Sequence, residues 1–322
     1  MTSNIKKILK KIWLSISPTY RQVCGIEEHL YRLENMLLVD VYQTALIMKS
    51  QVDITKLPKA IGAIRYAQQI NYLALQEVVR ICNKYQLRYW LDFGTLLGAV
   101  RHRGFIPWDD DVDISMPAPD YQRFLQVATE EFVSSDFSLI YIPSQIPKIA
   151  HKRILPNTRE SQIEFAYGRT NSNLTFFCDI FPYYFADENL EDERINNTIV
   201  TSLKRTRPLA DYKKLSDLDK AEQMTREYNN SISSVHDTKK MFLGMETDAA
   251  FQPLIVHSED MFPLKTMVFE DQEFYVPNNP EKHLTHLYGD YMSFPKNEHL
   301  HSHISQATAK ELDLVRNIIY DK

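Results

Sequence analysis

The chain has 322 residues, 44% of them hydrophobic and 25% charged, which fits a folded chain of one large or two moderate domains rather than a disordered one. Its formal net charge of -5 excludes the globally basic surface that argues for nucleic-acid binding. Its three cysteines, Cys24, Cys82 and Cys178, lie far apart, which argues against a disulfide framework or a Cys-x-x-Cys zinc site and fits a reducing cytoplasm.

Residues 1–60 predict a helical N-terminal arm. Ile5, Ile8, Leu9, Ile12, Trp13 and Ile16 fall on one helical face, with Lys6, Lys7, Lys10 and Lys11 on the other. Such a basic amphipathic segment, residues 1–17, suits either an anionic membrane surface or a protein partner. No apolar run reaches the roughly 18–20 residues that span a bilayer. Pro18 breaks the first helix, and 26–49 reads as a second. Residues 64–88 predict an amphipathic helix with Tyr72, Leu75, Val79 and Cys82 along its apolar stripe.

A short strand is expected at Tyr89 to Phe93, ended by Gly94-Thr95, then a short helix from Leu96 to Val100. A second strand runs from Asp111 to Met116. Pro117-Ala118-Pro119 breaks it, and Asp120 opens a helix with Tyr121, Phe124, Leu125, Ala128 and Phe132 on one face. Further strands are expected at Leu139 to Ile142, Ile149 to Leu155 and Phe176 to Phe181. Residues 187–240 read as charged and helical, 267–276 as a hairpin, and 281–287 as a short helix. The elements mix without a regular βαβ rhythm, so the fold class is α+β.

The chemistry concentrates in the acidic run. Asp111 and Asp113 are two apart, so in a strand both carboxylates face one side while Val112 and Ile114 face the other. Like charges held that close call for a cation or a proton between them. Mg²⁺, or Mn²⁺ in its place, suits hard oxygen ligands and a phosphate-bearing substrate. A solvated loop is the bland alternative, but this run is flanked by apolar residues on both sides. Asp179 is a lone acid in an aromatic strand, either satisfied locally or a third carboxylate of the same site. Gly94 and Thr95, at a strand-to-helix turn, suit close approach to a phosphate. Among the nearby cations (Arg101, His102, Arg103, Lys148, Lys152 and Arg153), Arg101 and Lys152 are the preferred phosphate partners. His299, His301 and His303, beside Glu298, have strand-like ligand spacing but read better as a solvated tail.

Residues 89–121 resemble the LicD family of phosphotransferases, which includes bacterial phosphocholine transferases and the animal fukutin-type proteins. The resemblance is carried by Gly94-Thr95-Leu96-Leu97-Gly98-Ala99-Val100-Arg101-His102 and by Phe105-Ile106-Pro107-Trp108-Asp109-Asp110-Asp111-Val112-Asp113-Ile114. Lys152 with Thr158, Cys178-Asp179-Ile180-Phe181-Pro182, Tyr275-Val276-Pro277 and Tyr288-Gly289-Asp290-Tyr291 extend it over roughly residues 64–305. It implies a nucleotidyltransferase-like mixed sheet surrounded by helices, with a catalytic domain at 61–322 and a helical insertion at about 187–240. It implies metal-dependent transfer of a substituted phosphate from a CDP-linked donor to a sugar hydroxyl. Asp111, Asp113 and Asp179 would bind the metal, with Asp109 supporting them or replacing one. Gly94, Thr95, Arg101 and Lys152 would hold the donor phosphates. Two positions depart from the pattern: Thr95 stands where the wider superfamily usually has Gly or Ser, and Phe93 where many members carry Gly. The cysteine-bound zinc of some animal members has no counterpart.

The first expectation is therefore a cytoplasmic transferase, peripheral on the inner face of the plasma membrane. It would modify a bacterial surface glycan (lipopolysaccharide, capsule or teichoic acid) on a lipid-linked acceptor. Phosphocholine leads as the transferred group, with a polyol phosphate close behind. A choline pocket would draw on Phe165, Tyr167, Phe176, Tyr183 and Tyr184. The alternatives are a nucleotidyltransferase moving NMP to a small molecule, a metal-dependent glycosyltransferase, and a degenerate nucleotide-binding scaffold.

Overall fold

The first long element is an amphipathic helix, α1 (Gly62–Tyr85). A computed structural model describes residues 53–140, 148–152, 177–206, 215–244, 254–295 and 309–320. The expected N-terminal helices, the basic face of residues 1–17 and the histidine cluster at 299–303 lie outside these. Leu75, Val78 and Ile81 of α1 are completely buried, and each such side chain contributes about 1.5–3 kcal/mol. Gln86, with φ 56°, takes the left-handed conformation that ends the helix.

The chain then alternates between the sheet and its covering helices. β1 (Trp90–Leu91) leads into α2 (Phe93–His102), β2 (Val112–Pro117) and α3 (Ala118–Glu131). β3 (Phe137–Ile140), β4 (Lys148–His151) and β5 (Cys178–Phe185) follow. Helices α4 (Asp192–Thr206) and α5 (Leu215–Ile232) fill the charged region expected to be helical. Strands β6 (Lys240–Leu243) and β7 (Ile255–His257), the short helix α6 (Ser258–Met261), the hairpin β8 (Lys265–Phe269) and β9 (Gln272–Val276), and helices α7 (Pro280–Tyr288) and α8 (Ala309–Tyr320) complete it. Strands β6 and β7 and helix α8 were not expected from periodicity, each being short or weakly patterned.

The sheet order is β1-β2-β5-β4-β3, with β6 on the far half of β5 and β7 beyond it. Only β2 and β5 pair in parallel among the described strands; the other pairs are antiparallel. This mixed sheet bears out the α+β expectation. β5 is shared: its start pairs with β4 at Cys178 and Asp179, and its end with β6 from Tyr183 to Phe185.

Alternation along β2 and β5 sends residues to two cores. Val112, Ile114, Cys178 and Ile180 join Leu75, Val78, Tyr121 and Phe124 from α1 and α3. Phe181, Tyr183 and Phe185 join Trp90, Met241, Val256 and Met261 on the other face. Asp113, Ser115 and Asp179 share the second parity, so the acids emerge on the face where α2 and α7 pack.

Candidate functional site

Strand register brings two distant acids together. Asp113 of β2 stands directly opposite Asp179 of β5, and both are almost buried. Burial, and then the charges of Asp111, Asp179, Asp109 and Asp92, hold the Asp113 carboxyl well above the ordinary carboxylate range. Asp109 is raised in the same way by burial, by Asp111, to which it is also hydrogen-bonded, and by Asp110. Thus Asp109, Asp111, Asp113 and Asp179 form one electrostatic cluster.

This excess of negative charge fits a divalent cation, because every charge that raises Asp113 is another carboxylate. Among the described residues no three ligating side chains already form a cage, so a cation would have to draw the carboxylates inward.

The second half of the site is the start of α2. Asp92 caps it, accepting from the Phe93 amide at 2.8 Å. Gly94 sits directly against Asp109: a Cβ there would lie 2.7 Å from Asp109 Oδ2. Thr95 Oγ1 accepts the Asp113 amide at 2.8 Å, tying the helix to the acid-bearing strand. Phe93 has φ 43°, a left-handed conformation better suited to glycine. Its ring packs on Phe181, with centroids 4.7 Å apart.

The two preferred cations part company. Arg101 is buried at the end of α2, donates to the Tyr291 carbonyl at 2.7 Å, and lies over the Trp108 ring. Burial lowers its pKa to about 10, against the opposing attraction of Asp109, which places it within the field of the acids. Its Nε–H donates to His102 Nε2 at 2.9 Å, and burial together with Arg101 pushes His102 down to about 4, so His102 is the neutral acceptor. Lys152, by contrast, donates to the carbonyls of Phe132 at 2.7 Å and Ser135 at 2.5 Å. These bonds hold its ammonium at the end of α3 rather than beside the acids of β2. The residue of β4 in register with Asp179 is Lys148. Strand register, which spacing alone does not supply, is what separates the two lysines.

Several supporting residues escaped the sequence reading. Gln68 Nε2 donates to the Asp109 carbonyl at 2.8 Å, and Asn71 Nδ2 donates to that of Asp110. Both are buried polar positions of α1 that clamp the acidic loop. Their signal was available: positions 68, 71, 75, 78 and 82 continue one helical stripe, with two amides where apolar residues belong. Glu270, at the β8–β9 turn, accepts from Arg65 at 2.8 Å, Lys59 at 3.0 Å and the Phe105 amide at 3.3 Å. Tyr288, at the end of α7, is raised well above the ordinary tyrosine range by burial and then by Asp113, Asp92, Asp109 and Asp111. Of the aromatics offered for a choline pocket, Tyr183 is fully buried core and Tyr184 stacks on Phe242. Phe165, Tyr167 and Phe176 lie outside the described residues. Among the described residues no helix is long and apolar enough to cross a membrane.

Comparison with known proteins agrees with this geometry. Residues 86–230 match the family described as LicD/FKTN/FKRP, nucleotidyltransferase domain. The chain is 28% identical over 243 residues to the lipopolysaccharide cholinephosphotransferase LicD of Haemophilus influenzae, covering 68% of this chain and 87% of that protein. It is 37% identical over 70 residues to an uncharacterised protein of Rickettsia prowazekii, 22% of this chain and 26% of that one. It is 49% identical over 43 residues to the human ribitol 5-phosphate transferase FKRP, 13% of this chain and 9% of that protein. Over residues 86–230 the chain is similar to the LicD/FKTN/FKRP family, and the LicD and FKRP relatives are named transferases.

Proposed function

We propose that this protein transfers a substituted phosphate, phosphocholine first and a polyol phosphate second, from a CDP-linked donor to a sugar hydroxyl of a bacterial surface glycan. The observation that carries the reading is the Asp113–Asp179 register, which gathers carboxylates beside Gly94 and Thr95 in the first turn of α2. The LicD relative supports phosphocholine and lipopolysaccharide; the FKRP relatives support ribitol phosphate. The core would be nucleotidyltransferase-like, within a catalytic domain at 61–322.

Asp111, Asp113 and Asp179 would hold Mg²⁺ or Mn²⁺, with Asp109 supporting them. When bound, the ion would offset charge developing on the phosphates. Gly94 lets the Asp109 carboxylate pack directly against the start of α2, and Thr95 fixes Asp113 through its amide. Arg101 supplies a positive charge that interacts with Asp109 of the cluster. One of the carboxylates, kept basic by its neighbours, takes the proton of the acceptor hydroxyl.

Thermal stabilisation tests the donor class. CDP-choline, CDP-ribitol, CDP-glycerol, UDP-glucose, CTP and ATP are compared, each with and without Mg²⁺ or Mn²⁺. A ligand that binds only the folded state raises the midpoint. A metal-dependent shift with one CDP-linked donor supports the proposal and names the group. A shift confined to UDP-glucose or to a free triphosphate replaces it with the glycosyltransferase or nucleotidyltransferase alternative.

A further inference from the structure

We infer that Asp92 and His283 form a buried positioning pair, in which α7 sets the geometry of the acidic site by holding the start of α2 against β2. Asp92 is completely buried. Its carboxylate accepts from the Phe93 amide at 2.8 Å, the Ser115 hydroxyl at 2.6 Å, the Trp90 indole at 3.3 Å and His283 Nε2 at 2.8 Å. Its own amide donates to the Asp113 carbonyl at 3.2 Å. A helix cap needs one such bond and is ordinarily solvated. A buried carboxylate held by β1, α2, β2 and α7 together is a clamp.

The clamp is aimed at the site. Through Phe93 it fixes the turn that carries Gly94 and Thr95; through Ser115 and the Asp113 carbonyl it fixes the strand that carries Asp113. Among the described residues Asp92 alone hydrogen-bonds the His283 ring, whose side chain is 1% exposed and whose Nδ1 has no partner. Burial alone would raise Asp92, but the charge and hydrogen bond of His283, with those of Ser115 and Phe93, hold it below the usual carboxylate value. His283 also lines a cleft of about 330 Å³ together with His257 and His286. His286 is therefore a control at the same cleft, outside the clamp.

The inference rests on the phosphotransfer reading for its kinetic and Mn²⁺ arms, and on geometry alone for its Trp90 arm. Full-length wild type, His283→Ala, His283→Gln, Ser115→Ala and His286→Ala are compared in three ways. These are CMP release from the CDP-linked donor, Mn²⁺ binding by calorimetry, and the ¹⁵N indole resonance of Trp90 in tryptophan-labelled protein. A displacement near 1 Å at the reacting atoms costs about 100-fold, and loss of an outer partner costs a metal site about 10- to 100-fold. His283→Ala is therefore expected to lower kcat about 10- to 100-fold with donor KM within about twofold, to weaken Mn²⁺ binding about tenfold, and to move the Trp90 resonance. His283→Gln, which keeps an N–H donor, is expected to recover most of each effect, and His286→Ala to match wild type. Wild-type kcat and Mn²⁺ affinity in His283→Ala, or Gln behaving no better than Ala, overturns the inference. If His283→Ala does not fold, Ser115→Ala is expected to show the same split to a smaller degree, and wild-type values there overturn it. Absence of wild-type turnover with every CDP-linked donor removes the phosphotransfer reading, while the Trp90 resonance still decides the clamp: an unmoved resonance in His283→Ala overturns it.

Discussion

Asp113 and Asp179 stand opposite one another on the only parallel strand pair among the described residues, although 66 positions separate them in sequence. Like charges facing across a sheet destabilise it. Here they do so next to Asp109 and Asp111, and the cost is retained at the one place where α2 delivers Gly94 and Thr95.

Removing one of the facing charges should therefore separate stability from function. Asp113→Asn is expected to hold or raise the metal-free thermal midpoint, by up to about 4 °C, while lowering turnover about 1,000-fold. Scanning calorimetry without metal, beside steady-state kinetics, checks both. A large fall in midpoint would assign Asp113 a supporting role instead.

Gly98 lies where α2 crosses the following loop. A Cβ there would run into the Gly104 carbonyl and lie 3.3 Å from the Ile106 nitrogen, both backbone atoms. Gly98→Ala should cost at least about 1–3 kcal/mol, the range for overpacking, because no flexible side chain can yield. Urea denaturation measures it.

Glu270 supplies the pH dependence. Burial would raise it, but hydrogen bonds and charge from Arg65 and Lys59 hold it below the ordinary glutamate value. A depressed carboxylate contributes stability that is complete above the unfolded pKa of about 4.3 and is lost as pH falls through the lower folded value. Glu270→Gln should thus destabilise by about 1–3 kcal/mol at pH 7, a range reduced by the partial exposure of Lys59 and Arg65. The difference from wild type should shrink as pH falls below about 4. Chemical denaturation at pH 7, 5 and 3.5 measures this; a constant difference would contradict it.

Lys152 and Arg101 should behave differently. Lys152→Met removes the donor to the Phe132, Val133 and Ser135 carbonyls just beyond α3 and should cost about 0.5–1.5 kcal/mol, with donor KM unchanged. Arg101→Lys keeps the charge but loses the planar contact with Trp108 and the fixed bond to Tyr291, and should lower kcat/KM at least about tenfold. Kinetics on both variants, with thermal midpoints alongside, decide it.

Local pattern revealed what is local. The period of α1 and the carboxylate parity of β2 follow from neighbouring residues, and the long motif at 94–114 carried the family resemblance. The turn expected at Gly94-Thr95 is instead the first turn of α2, which begins at Phe93 behind its Asp92 cap. Lys152 shows what spacing leaves open: a lysine near the site in sequence donates to carbonyls at the end of α3. Asp92 and His283 were overlooked because a lone Asp and a lone His have no periodic signature, and their partnership spans 191 residues. Gln68 and Asn71 were legible, as amides inside an apolar stripe.

The most direct test of the central claim is CMP release from a CDP-linked donor, with a sugar acceptor present, by wild type and by Asp113→Asn, with and without Mg²⁺. Mg²⁺-dependent release by wild type, lost in Asp113→Asn although the variant stays folded, is the expected result. Release that persists undiminished in Asp113→Asn, or that is indifferent to divalent cations, would contradict the assignment of these carboxylates to the reacting phosphate.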